Sequence, residues 1–286
     1  MTVKQPIIYS DICYSNTHPL NTYDLYLPSH SSSSPPILIF IHGGAWVSGD
    51  KKELTTMAIN LSSSQNIAVA LLNYRLSERN INSEIQHPLH SIDCLLGYLH
   101  IVENGRGLGY DSKNIYLGGH SAGGQLSGMI GLRVGDIIEE MEKKGMNGIN
   151  RNDIVEKVAH IKGIIVTEGI FDLKGFSEHD SSYKNDFLLP AFGKDLLKDD
   201  WKLASPMCST KEKLGLIPYI KLPKYILFYS NQDNLVKKSQ SLDFGQHLHQ
   251  LGFTRVELIL DDFGTHDEVP ISPIVLKLIA KIINQA

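Results

Sequence analysis

The chain has 286 residues, 42% hydrophobic and 20% charged, with a formal net charge of −4. These proportions belong to a globular protein with a substantial core, and the acid excess leaves no basic stripe to follow a phosphate backbone, which excludes nucleic acid as an expected partner. Cys13, Cys94 and Cys208 are far apart and lack metal-ligand spacing, so they are read as free, buried or inert thiols in a reducing compartment.

No apolar run is long enough for a bilayer, and Met1 to Pro6 lacks the core of a signal peptide, so the expected location is cytoplasmic, with no membrane partner. The first element is Asn21 to Pro28, where polar and apolar residues alternate as in a half-exposed strand. The Ser-rich loop from Ser29 to Ser34 follows, closed by Pro35-Pro36. Ile37 to Ile41 and Ile67 to Leu72 are continuous apolar runs, the pattern of parallel strands covered on both faces. Leu54 to Leu61 can form the crossover helix between them. From Pro88, apolar residues Leu89, Ile92, Leu95, Leu96, Leu99 and Val102 recur every three or four positions, predicting an amphipathic helix that Gly105 could end. Ile115 to Leu117 and Ile161 to Val166 are further strands. Tyr225 to Tyr229 and Val256 to Leu260 complete the set, with a helix from Ser239 to Leu251, capped by Gly252, between them. A final helix should place Ile274, Val275, Leu278, Ile279, Ile282 and Ile283 on one face. Strands alternating with helices indicate a mostly parallel sheet with helices on both faces. The chain is read as one domain over 1–286. Polar stretches at about 133–158 and 174–215 are expected as insertions over one end of the sheet, forming a small helical or irregular cap.

Chemistry concentrates in the loops after the strands. Gly119-His120-Ser121-Ala122-Gly123-Gly124 places Ser121 on a strand-to-helix turn, where Gly119 and Gly123 let the backbone bend and neighbouring elements pack close. A serine hydroxyl needs a base, and the base needs an orienting acid. His266, after the last strand, and Asp233, after the strand before it, fill those roles in the order Ser, Asp, His. Asp261, Asp262 and Asp267 are nearer His266 in sequence, but an orienting acid needs a strand end of its own. His42-Gly43-Gly44-Ala45-Trp46 supplies the remaining part: the N–H groups of Gly43, Gly44 and Ala122 are the expected oxyanion donors. His42 and Trp46 are read as shaping that loop.

HGGAW at 42–46, GHSAGG at 119–124, Asp233 and His266 resemble the HGGxW-containing branch of the α/β-hydrolases, near the hormone-sensitive-lipase-like esterases. Tyr74-Arg75-Leu76-Ser77, Glu168 to Leu173 and Leu260 to Val269 add a similarity to the kynurenine formamidase (arylformamidase) family, running from about Tyr23 to the C-terminus. The resemblance implies an α/β-hydrolase fold and a small-molecule substrate, N-formyl-L-kynurenine, cleaved to kynurenine and formate without metal or organic cofactor. A general carboxylesterase needs the same machinery, and a ligand-binding homologue without catalysis would share the fold. Arg75, Tyr74, Glu168 and Asp172 admit both substrate-binding and framework readings. The oligomeric state is left open, a homodimer included.

Overall fold

The computed structural model describes residues 5–29, 34–146, 148, 150–199, 201–215, 217 and 222–285. Residues 30–33 of the Ser-rich loop, and residues 147, 149, 200, 216 and 218–221 in and beside the two polar stretches, lie outside them. The strands are β1 (Ile7–Cys13), β2 (Thr22–Leu27), β3 (Pro36–Ile41), β4 (Ala68–Leu72), β5 (Asp111–His120), β6 (Ile161–Thr167), β7 (Lys224–Ser230) and β8 (Val256–Asp261). They form one eight-stranded sheet in the order β1-β2-β4-β3-β5-β6-β7-β8. β1 and β2 pair antiparallel, β2 runs antiparallel to β4, and the remaining strands are parallel. This is the expected α/β-hydrolase architecture.

The helices are α1 (Thr55–Gln65), α2 (Leu89–Leu108), α3 (Ala122–Lys143), α4 (Arg151–Ala159), α5 (Leu173–Ser177), α6 (Ser181–Tyr183), α7 (Leu189–Leu197), α8 (Lys211–Leu214), α9 (Lys238–Leu251) and α10 (Pro273–Asn284). Side chains of a strand alternate between faces, and the core divides accordingly. Ile37, Ile39 and Ile41 of β3 join a cluster with α2, α3, α4 and α9, whereas Leu38 and Phe40 join one with α1 and α10. None of the described helices is long and apolar enough to cross a membrane.

Several local expectations need correction. α2 runs past Gly105, whose lack of a Cβ admits Tyr110 and Ser112, and ends at Gly109 in the left-handed region (φ +92°). On α10 the buried stripe is Val275, Leu276, Ile279, Ala280 and Ile283, leaving Ile274 exposed. Cys13 is exposed rather than buried. The stretch 133–158 is not an insertion over the sheet: α3 continues through it with a kink at Arg133, and Ile137, Ile138, Met141, Ile154, Val155 and Val158 pack in the main core. A helix that follows a parallel strand runs back along it, so this half of α3 leads away from the serine turn. The stretch 174–215 does hold short helices, and these pack beside the HGGAW loop and α3 through Phe192 against Trp46 and Gln125 Nε2 donating to Ala204 O at 2.7 Å.

Candidate active site

Three strand ends and one loop converge. β5 runs into a turn where Ser121 adopts φ 54°, ψ −117° and serves as the cap before α3. Such a conformation costs about 1–3 kcal/mol and persists only where its surroundings impose it. Here the Ser121 N–H donates to Thr167 O at 2.9 Å, and Ser121 O accepts from Gly124 and Gln125 at 2.9 and 3.3 Å. Gly123 cannot be larger, because a Cβ there would fall 2.1 Å from Ile41 O, and one on Gly119 would fall 2.3 Å from the Gly123 backbone. The two glycines therefore let α3 start against the ends of β3 and β5.

His266 and Asp233 lie beyond β8 and β7. His266 Nδ1 donates to Asp233 Oδ2 at 2.9 Å, and Asp233 Oδ1 accepts from the N–H groups of Leu235 and Val236 at 2.7 and 2.9 Å. Burial pushes the Asp233 carboxyl up, but the hydrogen bond and charge of His266 outweigh it and leave the pKa below its ordinary value. Asp261 and Asp262 are exposed; Asp262 Oδ1 instead accepts from Asn231 Nδ2 at 3.2 Å. The His266 ring lies 4.5 Å, centroid to centroid, from that of His120, the residue before Ser121. With Nδ1 protonated toward Asp233, His266 Nε2 holds a lone pair on the side of the serine turn.

On the other side, Gly43 backs directly onto this turn: a Cβ there would meet His120 Cδ2 at 2.9 Å and Ser121 Cβ at 3.2 Å. Gly44 has φ +101° and its carbonyl closes the loop by accepting from Val47 and Ser48 at 3.1 and 3.0 Å. Ala122 is the first residue of α3, so its N–H has no intrahelical acceptor. Trp46 and His42 brace the loop. Trp46 Nε1 donates to Gln125 Oε1 at 3.0 Å, and the His42 ring stacks on Tyr74 with centroids 4.6 Å apart. A cavity of 480 Å³ opens beside this loop, lined in part by Gly43, Gly44, His120 and Asp267.

Of the residues with two readings, Arg75 is framework: its guanidinium forms a bidentate pair with the buried Asp93, at 2.8 and 2.6 Å. Asp172 caps α5 by accepting from Lys174 N–H at 3.1 Å. Glu168 belongs to the site instead. It follows β6 with φ 52°, is 0% exposed, and its Oε1 accepts from Ser230 N–H at 2.6 Å. Among the described residues Oε2 has no hydrogen-bond partner, and the carboxyl faces that of Asp233. Burial, then Asp233, push the Glu168 pKa up to about 10. The group is a neutral acid at pH 7, able to donate toward Asp233. No motif marks it; its meaning lies in the pairing of β6 with β7.

The BD-FAE family model matches residues 23–248. Among curated proteins, the chain is 26% identical over 270 residues to the isoprenylcysteine alpha-carbonyl methylesterase ICME of Arabidopsis thaliana, covering 93% of this chain and 57% of the relative. It is 24% identical over 259 residues to the kynurenine formamidase of Scheffersomyces stipitis, covering 84% and 88%. The chain thus spans little more than half the length of the methylesterase. A truncated form of a carbohydrate esterase from gut microbiota superposes with a TM-score of 0.72 at 18% identity, covering 100% of this chain and 98% of that one, which shows a shared fold.

Proposed function

We infer, from a chain that belongs to the BD-FAE family, that the protein is a serine carboxylesterase. The observation that carries this reading is the 2.9 Å His266–Asp233 bond beside the strained Ser121 turn. Ser121 Oγ attacks the ester carbonyl as His266 Nε2 takes its proton, and Asp233 stabilises the imidazolium. The oxyanion forms where the N–H groups of Gly43, Gly44 and Ala122 can receive it. Collapse expels the alcohol with the proton from His266, leaving an acyl-enzyme. Water, activated by the same imidazole, releases the acid. The name of the methylesterase relative supports an ester substrate.

A second reading, cleavage of N-formyl-L-kynurenine, draws on the kynurenine formamidases of Scheffersomyces stipitis and Meyerozyma guilliermondii, 24% and 27% identical. It uses the same groups, with an aryl amine leaving in place of an alcohol. The two are separated by kcat/KM for p-nitrophenyl acetate against N-formyl-L-kynurenine. We expect ester turnover, and a loss of at least about 10⁴-fold in kcat for Ser121→Ala. Turnover of the formamide alone would select the second reading; full activity in Ser121→Ala would remove both.

A further inference from the structure

Beside the serine turn lies a group of ligating side chains of which acyl transfer uses only His266. One donor atom from each of His120, His266 and Asp267 lies within 4.8 Å of the other two. The hydrogen bonds of the two rings fix which nitrogen is free. His120 Nδ1 sits 3.1 Å from the carbonyl oxygen of Thr167, which can only accept, so Nδ1 carries the proton and Nε2 keeps a lone pair. That Nε2 is buried without a hydrogen-bond partner among the described residues. His266 Nδ1 is likewise committed to Asp233, which leaves its Nε2 lone pair. Asp267 is exposed, next in the chain to His266, and lines the 480 Å³ cavity that also reaches His120.

Two imidazole nitrogens and a carboxylate oxygen are the donor set that zinc takes, whereas magnesium and calcium take oxygen ligands and a soft copper(I) ion prefers thiolate. We propose that His120, His266 and Asp267 form an inhibitory site for a divalent transition metal of the zinc class, entered from the cavity beside the HGGAW loop. The regulatory part of this proposal rests on His266 acting as the general base. A metal bond to Nε2 uses the same electron pair that would take the serine proton, so metal binding and proton transfer exclude one another. The two rings are held by Thr167 and Asp233, and the exposed Asp267 is the ligand free to close the site, with water completing a tetrahedron.

The test has two readouts. p-Nitrophenyl acetate hydrolysis by chelator-treated enzyme is titrated with Zn²⁺, and Co²⁺ is added in parallel, because its visible d–d bands report nitrogen and oxygen coordination whether or not the enzyme turns over. Zn²⁺ should inhibit reversibly, EDTA should restore the rate, and Mg²⁺ should have no effect. Asp267→Asn should keep its metal-free rate yet need at least about tenfold more Zn²⁺ for the same inhibition. His120→Gln should lose the Co²⁺ bands. If Zn²⁺ inhibits the wild type and both variants equally, the metal acts elsewhere and the proposal is overturned. Unchanged activity at millimolar Zn²⁺ without Co²⁺ bands overturns it as well. A chain that hydrolyses no ester, but whose Co²⁺ bands vanish in His120→Gln and need more Co²⁺ in Asp267→Asn, keeps the metal site and loses the carboxylesterase reading.

Discussion

Asp233 commits one carboxylate oxygen to His266 and the other to two backbone N–H groups. It is therefore immobile as well as charged, and both properties matter to the imidazole it holds. Asp233→Asn should lower kcat by about 10⁴-fold, because an amide can present N–H to the ring and select the wrong tautomer. Asp262→Asn should leave it near the wild-type value, since that exposed side chain only contacts Asn231. The reverse order of effects in steady-state assays would assign the orienting role to Asp262. Behind Asp233, the neutral Glu168 has a pKa of about 10. An unfolded glutamate ionises near 4.5, so between these values the folded chain binds one more proton than the unfolded one. Stability from this group is complete at acid pH and declines as pH rises, by up to about 1.4 kcal/mol per pH unit. Glu168→Gln keeps the shape, the Ser230 contact and a donor toward Asp233 while removing the proton. It should unfold at a higher temperature than the wild type at pH 8, by a margin that grows toward pH 9; a margin independent of pH would show that Glu168 is ionised in the native state.

At the scale of elements, a buried relay joins the HGGAW loop to the short helices of 174–215: Trp46 Nε1 donates to Gln125 Oε1, and Gln125 Nε2 donates to Ala204 O. Arg133 makes a second tie at the kink of α3, donating to Lys202 O at 2.5 Å and Ser205 O at 3.3 Å. Gln125→Leu fills the space but strands the Trp46 N–H and the Ala204 carbonyl, each at about 1–3 kcal/mol. Denaturant unfolding should report a loss of about 2–4 kcal/mol, together with reduced kcat for a short ester as the HGGAW loop loosens. Unchanged stability would mean that water reaches these groups. The relay also marks where sequence reading stops. The strands β3, β4 and β7 were legible because each is a closed apolar run, and Ser121, Asp233 and His266 were placed from their positions after β5, β7 and the half-exposed β8. β1 gives no such signal: Ile7, Ile8 and Tyr9 are exposed. It is held by pairing with β2 and by the buried Lys51, which reaches Asp11 at 2.5 Å and Asp24 at 3.3 Å. These partners lie far apart in sequence. The cap helices are too short to show a period, and α3 carries a buried arginine that reads as surface. Glu168 could be named from the sequence but its protonation could not, because that depends on burial and on a carboxylate from another strand.

For the whole molecule, three buried histidines and the half-buried His87 oppose Glu168. Burial lowers the pKa of His42 to about 4, that of His87 and His90 to about 3, and that of His120 well below 6.5. Each is neutral when folded and takes a proton near pH 6.5 when unfolded. Their contribution is complete above that value and is lost as pH falls toward the folded pKa. Below pH 6.5, four such protons outweigh the one held by Glu168, so stability rises with pH. Well above it the Glu168 slope remains, joined toward pH 9 by the buried Cys94 thiol, whose pKa burial also raises, and stability falls. The balance comes where the four unfolded imidazoles share a single proton, near pH ~7. Calorimetric melting temperatures from pH 5 to 9 should therefore pass through a maximum close to neutrality; a curve still climbing at pH 9 would contradict the assignment of Glu168, and a flat one from pH 5 to 7 that of the histidines.

The strand order has a consequence for how the protein is made. From β3 onward toward one edge, β5, β6, β7 and β8 are laid down in the order in which they are synthesised. The serine turn and its oxyanion loop can thus form on an early core, while the acid and then the base arrive with the last two strands. A ribosome-bound chain halted before β8 would present a folded nucleophile with no means of deprotonating it. Under the proposed mechanism, the nucleophile gains its base only when that final strand docks.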